Sequence, residues 1–370
     1  MEPAKVYWMN LRARPGRSLL ARFDTLLRWA GLETLDLQHK FVALKLHFGE
    51  PGNLAYIRPN YVARVVALVE KQGGKPFLTD CNTLYTGQRS NAVDHLRTAQ
   101  QHGFNRLVTG CDVIIADGLK GTDYREIPLN FKHCRTAKIG TAIADADALI
   151  SLNHFKGHDM MGFGGAIKNI GMGSGSRGGK LEMHSASKPR MKPEKCVSCG
   201  MCLRSCPQGA IHWDAHHKAE IDYALCIGCG QCVAVCAYDA AQAVWDESSD
   251  IACEKMAEYA YAVLQGKPAL HVNFVMNVSP NCDCWSMNDA PIVPDLGIAA
   301  SLDPVALDRA CVDLVNAAPA LPGTALTAAG YVESADKFAT LFPRVRWQTT
   351  LEYAEAIGLG TQQYSLEVVE

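Results

Sequence analysis

Residues 196–207 read CVSCGMCLRSCP and residues 226–237 read CIGCGQCVAVCA, two copies of one spacing that hold eight of the chain's 15 cysteines. In each copy a Cys-x-x-Cys-x-x-Cys loop is followed, after three further residues, by a fourth cysteine. Three thiolates from so tight a loop cap one side of an iron–sulfur cubane, and the fourth cysteine of each run ligates the other cluster. The spacing therefore predicts two [4Fe–4S] clusters. Cys196, Cys199, Cys202 and Cys236 are assigned to one, and Cys226, Cys229, Cys232 and Cys206 to the other. Zinc ribbons use two Cys-x-x-Cys pairs and not two full quartets. Disulfide frameworks belong to short secreted chains, and this one has 370 residues.

Working outward, the cysteine runs mark a small α+β module of bacterial-ferredoxin type over residues 191–243. It divides the chain into a first part, 1–190, and a second, 244–370, both read as pieces of one larger α/β domain. Before the module, SGSRGGKLEMHSASKPRMKPEK (174–195) is basic and rich in Gly and Ser, and it reads as an exposed linker. In the first part, FVALKLH, PFLTD, DVIIAD and ALISLNH are continuous apolar runs closed by polar residues, the pattern of parallel strands covered on both faces. PNYVARVVALVEKQGG and SNAVDHLRTAQQHG lie between them as helices. In the second part IACEKMAEYAYAVLQG reads as a helix ending at Gly266, ALHVNFVMNVS as a strand, and DPVALDRACVDLVNAA as a helix opened by Asp303 and Pro304. The expected fold is α/β, a mainly parallel sheet layered with helices and interrupted by the ferredoxin-like module.

Composition bounds the function. Hydrophobic residues make up 48% and charged residues 20%, with a net charge of −2, so no nucleic-acid or membrane partner is indicated. The opening MEPAKVYWMNLRARPGRS has no apolar signal core. Reduced cysteines fit a cytoplasmic location, in an anaerobic or micro-oxic cell.

Each apolar run of the first part ends in a residue able to do chemistry: His47, Asp80 with Cys81, Asp117 and His154. Ligands of open α/β sheets bind beyond the carboxyl ends of the strands, so these termini define a candidate rim. The segment from Asn153 to Gly171 adds Lys156, His158, Lys168 and a run of glycines. The lysines suit an anionic substrate, the glycines offer backbone amides to an oxyanion, and His154 with His158 suits a metal or a proton transfer. Capping and turn roles compete for Asp80 and Asp117. Cys282-Asp283-Cys284 is expected to hold a further metal ion with His47, His154 or His158. Cys111, Cys134, Cys253 and Cys311 read as packing residues, and His212, His216 and His217 as solvated.

The chain resembles the iron–sulfur-centre proteins of domain-of-unknown-function family 362. The likeness rests on Lys-Gly-His in HFKGH (154–158), GGAIKNIGMG (164–173), the double cysteine quartet and SLDPVALDRA (301–310), and it covers nearly the whole chain. By this resemblance Lys156, His158, Lys168, Asn169 and Asp303 fall on family-typical positions. Ala237 departs from the proline usual after the fourth ferredoxin cysteine. Proline shapes the chain there but is not a ligand, so binding by the second quartet is still expected. The expected function is an iron–sulfur redox protein, a ferredoxin-linked oxidoreductase. Its clusters would exchange electrons between a partner protein and a ligand at the rim, with Asp80 or Asp117 as acid–base partner. The alternatives are an electron carrier with no substrate of its own and a non-redox metal-dependent enzyme with structural clusters.

Overall fold

The computed structural model describes residues 3–85, 87–185, 188–226, 228, 230–244 and 247–370. Eight of the described strands form one sheet. In chain order they are β1 (Ala4–Asn10), β2 (Phe41–Lys45), β3 (Lys75–Asp80), β4 (Val113–Ile115), β5 (Ala148–His154), β6 (Ala269–Val275), β7 (Gly297–Ser301) and β8 (Tyr364–Val368). Across the sheet the order is β8-β1-β7-β6-β5-β2-β3-β4. Neighbours run parallel everywhere except at β7, which is antiparallel to both β1 and β6. The centre explains the apolar runs: every residue of β5 is buried. Val42, Leu44, Ile150 and Leu152 point into one core, and Ala43 and Leu149 point into the other. Two-sided burial of this kind favours parallel pairing, with helices covering each face.

The helices that matter here are α1 (Leu19–Trp29), α2 (Pro59–Lys71), α3 (Ala92–Gln101), α4 (Ala166–Ser174), α5 (Arg177–His184), α6 (Ser249–Leu264), α7 (Pro304–Ala317) and α8 (Gln348–Ala356). The helices read from the sequence fall where their punctuation places them. Asn91 caps α3 through Val93 and Asp94, and the left-handed Gly266 lies two residues past the end of α6. Asp303 caps α7 by accepting from the backbone of Val305 and Ala306, and its second oxygen accepts from Thr361 N–H.

One expectation is corrected. The linker reading fails for the first half of its stretch: Ser174, Ser176 and Lys180 are buried, and Arg177 is fully buried at the start of α5. Hydrogen bonding makes that burial tolerable. Arg177 donates to the carbonyls of Thr83, Lys120 and Ser90 and to the Gln231 side chain. Only the later residues from Lys188 onward run largely along the surface.

Residues 190–242 carry their own small architecture. Arg190–Met191 pairs with Ala241–Gln242, and Ile211–Trp213 pairs with Ala219–Ile221, both antiparallel. Short helices, Met201–Ser205 and Gln231–Val235, leave the two cysteine loops at matching positions. The left-handed residues Ser198, Gly200 and Gly209 are matched by Gly228, Gly230 and Asp239, so the sequence repeat is also a backbone repeat. An apolar contact joins this unit to the larger sheet, for Leu84 and Leu181 share a cluster with Ile211, Ile221, Cys232 and Val233. No helix among the described residues is long and apolar enough to cross a membrane.

Asp303→Ala leaves the first backbone N–H groups of α7 and the amide of Thr361 without their acceptor. The expected outcome is a loss of about 1–2 kcal/mol of stability in chemical denaturation, with metal content unchanged.

Candidate functional site

The carboxyl ends of β2, β3 and β5 converge on a buried polar frame. Lys45, the last residue of β2, is fully buried and reaches Asp80 at 3.0 Å and the Asn169 side-chain oxygen Oδ1 at 2.7 Å. Burial opposes ionisation of Asp80, but Lys45, His95, Lys180 and Arg89 outweigh it and hold the carboxyl below its ordinary range. Asn169 ties the strand ends together, donating to the carbonyls of Lys45 and Leu152 and to the Asn153 side chain. The loop after β3 supplies Arg89, which donates to Glu50 (2.8 Å), His47 Nε2 (2.9 Å) and the Tyr85 hydroxyl (3.0 Å). Burial, with Arg89 adding to it, pushes the His47 pKa well down.

The loop after β6 lies over this frame. Asp283 accepts from His154 Nδ1 at 2.8 Å, and His154 Nε2 faces the carbonyls of Met276 and Asn277. Gly157 is needed here. A Cβ at that position would stand 2.5 Å from the Pro280 carbonyl oxygen, so only glycine lets the Lys156–His158 hairpin strand press against the loop. That contact brings His158, Cys282 and Cys284 together, with their ligand-type atoms all within 4.8 Å of one another. Lys168, from α4, places its ammonium 3.4 Å from the Cys282 sulfur, and the backbone N–H of Cys284 approaches the same sulfur at 3.4 Å.

The two sulfurs sit in unequal surroundings. The hydrogen bond from Cys284 lowers the Cys282 thiol well below its ordinary range; burial opposes this, and Lys168, His158 and Lys156 assist it. The same bond raises Cys284 far above that range. Burial works against the charge on Lys168, but the two sulfurs outweigh it and the ammonium is raised. These surroundings favour negative charge on Cys282 over Cys284. Cys282 is 1% exposed, whereas Cys284 opens onto a cleft of about 690 Å³ lined also by Tyr85, Gln88, His158, His184 and Trp285.

The repeated cysteines are gathered crosswise. Cys196, Cys199, Cys202 and Cys236 line one apolar cavity with Trp213 and Tyr238. Cys206, Cys226 and Cys232 line another with Ile211 and Ile221; Cys229 lies outside the described residues. Backbone N–H groups point at the sulfurs: Ala219 at Cys196, Ala210 at Cys206, and Ala240 and Ala241 at Cys236. The second cavity borders the rim loop through Gly230 against Leu84 and Gln231 on Arg177. Tyr85 lines both the rim cleft and a further cleft bounded by Val233 and Arg190.

Several sequence-derived roles change. His154 and His158 do not share a metal, because their rings face different partners. His47 and His154 have both ring nitrogens engaged and do not join the cysteine pair. At the end of the glycine-rich turn the amides of Ala166 and Ile167 are already taken by Asp308. Lys156 donates to the His154 carbonyl and lies 3.8 Å from Asp283, so its charge, like that of Lys168, is directed inward. Asp80 and Asp117 do not line the cleft; Asp117 accepts from both N–H groups of Asn82, and burial pushes it up to about 6. Cys111, Cys134, Cys253 and Cys311 are buried, with burial raising each thiol, and His212, His216 and His217 are exposed. Lys45, Glu50, Tyr85, Arg89 and Asp283 were missed. A lysine inside the apolar run FVALKL and an aspartate between two cysteines are the signals that could have pointed to two of them.

A family model described as "Domain of unknown function (DUF362)" matches residues 42–313, and the chain belongs to that family. A thylakoid-associated protein of Synechocystis sp. (strain ATCC 27184 / PCC 6803 / Kazusa) is 32% identical over 158 residues, covering 41% of this chain and 45% of that protein. Among solved structures, the lactate racemase apoprotein of Thermoanaerobacterium thermosaccharolyticum is similar at 12% identity and a TM-score of 0.38, over 73% of this chain and 50% of that one. A protein of Thermotoga maritima is similar at 9% identity and a TM-score of 0.38, over 70% and 50%. The chain thus spans half or less of the length of each of these relatives.

Lys168→Met removes the cation beside Cys282 and moves the thiolate's titration upward. Alkylation of the Cys282–Cys284 pair, followed by peptide mass spectrometry across a pH series, is expected to slow about ten-fold at neutral pH. The rate profile is expected to shift to higher pH; an unchanged profile contradicts the assigned role.

Proposed function

We propose that this chain is an iron–sulfur redox protein in which two [4Fe–4S] clusters exchange electrons with the cysteine centre at the carboxyl rim of the sheet. The observation that carries the reading is the crosswise gathering of the repeated cysteines. The fourth cysteine of each run joins the cavity of the other, which is the arrangement two-cluster binding requires. The donor set fits such a group. The sulfurs converge on apolar cavities, and backbone N–H groups aim at them, as they do where thiolate charge has to be stabilised away from water. When bound, each cluster supplies one-electron transfer.

The chain's own residues give the route a direction. Cys199 is exposed, and the exposed side chains of Val197, Met201 and Tyr238 surround that end, where a partner electron carrier would meet the protein. The opposite cavity borders Leu84, on the loop that also carries Tyr85 and Arg89, and Arg177 of α5, which is bonded to that loop. Electrons entering near Cys199 would pass through the module toward the rim. There the His158, Lys168, Cys282 and Cys284 set can receive charge and protons, and the activity would be that of an oxidoreductase acting on a ligand in the cleft.

Anaerobic purification and reconstitution are expected to give about eight iron and eight sulfide per chain, and Cys196→Ser with Cys199→Ser about four of each. Iron well below these values, with zinc in its place, would sink the reading.

A further inference from the structure

The sulfurs of Cys282 and Cys284 lie together at the base of the rim cleft, one buried and one open to it. Two features decide what the pair is built for. The first is the proton on His158. Its Nδ1 faces the backbone N–H groups of Met160 (3.1 Å) and Met161 (3.2 Å), and only a lone pair can receive them. The neutral ring then carries its proton on Nε2, the nitrogen left to face the cysteine pair, whose sulfurs lie within 4.8 Å of the ring. Asp159 also lies 3.3 Å from Nδ1, but it is an exposed side chain and does not displace the two amides. A metal at Nε2 would have to displace that proton, and the two amides at Nδ1 oppose its moving to the other nitrogen. The second feature is Lys168, half-buried with its ammonium 3.4 Å from the Cys282 sulfur, where a bound cation would meet like charge. Both groups suit a sulfur anion; neither suits an ion cage.

We infer that Cys282 and Cys284 form a redox-active dithiol that acts on the S–S bond of a small-molecule disulfide entering the cleft. The exchange balances with one proton shared by two sulfurs. Cys284, at the cleft wall, attacks one substrate sulfur while its proton passes to Cys282. The substrate S–S bond breaks, and the first thiolate leaves. Cys282 then gives its proton to that leaving group and attacks Cys284. The mixed disulfide breaks, the second thiolate leaves, and a Cys282–Cys284 disulfide remains. In sum, a thiolate–thiol pair and one disulfide become a protein disulfide, one thiol and one thiolate. Lys168 and the Nε2–H of His158 hold the negative charge on Cys282 before the exchange. Regeneration takes two electrons and one proton, the electrons coming from a low-potential one-electron carrier used twice. Only this source of electrons rests on the iron–sulfur reading; the exchange itself stands on the rim geometry.

The test exposes the anaerobic holoprotein to bis(2-hydroxyethyl) disulfide, blocks free thiols with iodoacetamide under denaturing conditions, and reads the peptide that contains both cysteines by mass spectrometry. The expected peptide is unalkylated and two hydrogens lighter than the dithiol form. Cys282→Ser is expected to trap a mixed disulfide on Cys284, and Cys284→Ser to trap none, because Cys282 is buried. Lys168→Met is expected to slow the exchange about ten-fold at unchanged iron content. A doubly alkylated peptide from iron-replete wild type overturns the dithiol. So does a stoichiometric non-iron metal that is lost in Cys282→Ser. Reduced methyl viologen is then added to the oxidised protein. It is expected to restore two alkylatable thiols in the holoprotein and not in Cys206→Ser with Cys226→Ser. Exchange that proceeds normally while viologen fails in both proteins overturns the cluster-fed route and leaves the dithiol standing.

Discussion

A thiolate without water around it has to be held by positive charge and hydrogen-bond donors, and at Cys282 every neighbouring element contributes one. Helix α4 brings Lys168, the hairpin strand after β5 brings His158, and the backbone N–H of Cys284 closes the third side. Opposite charges buried together are tolerable only when the remaining donors and acceptors are also satisfied. The charged groups of the rim meet that requirement in pairs, although neither ring nitrogen of His95, beside Asp80, has a hydrogen-bond partner. Asp283 sits against His154 and Lys156, Asp80 against Lys45, and Glu50 against Arg89. The glycines of the family segment follow from the same crowding. A Cβ on Gly173 would lie 2.4 Å from the Lys45 ammonium nitrogen, and one on Gly165 would lie 2.2 Å from the Asp308 carboxylate. At these two positions glycine lets charged groups pack closely.

This frame also links the rim to the cysteine-rich unit. The loop from Cys81 to Ser90 leaves the end of β3, places Tyr85 and Arg89 on the rim, and presents Leu84 to the module. Arg177 fastens the same loop from α5, bonding Thr83 and Ser90 on one side and Gln231 on the other. A buried guanidinium with this many acceptors resists displacement, because moving it would leave charge and carbonyls unpaired. The interrupted α/β architecture therefore keeps the second cysteine cavity in register with the cleft, although the module enters between β5 and β6 in sequence.

The sequence made the sheet legible because apolar runs without alternation occur where strands are covered on both faces, as in β5. The cysteine repeat was legible because cluster ligation fixes spacing. Cys282, Cys284, His158 and Lys168 stood out by residue type, yet their partners did not. His154 looked like a ligand, but its ring meets a carboxylate and carbonyls that come from residues more than a hundred positions away. Lys45 and Arg89 were hidden for a related reason. A buried cation is defined by the anion it meets, and Asp80 and Glu50 reach theirs only through the fold. The supposed linker before the module was misjudged because Gly, Ser and basic residues imply exposure unless their hydrogen bonds are met elsewhere, and those of Arg177 are.

The central claim is that the module and the rim form one circuit, and counting electrons tests it most directly. An anaerobic reductive titration of fully oxidised holoprotein, followed optically and by thiol content, is expected to consume about four electron equivalents per chain, two at the clusters and two at Cys282–Cys284. The variant carrying Cys282→Ser and Cys284→Ser is expected to consume about two. Equal uptake by the two proteins, at full iron content, would contradict the account.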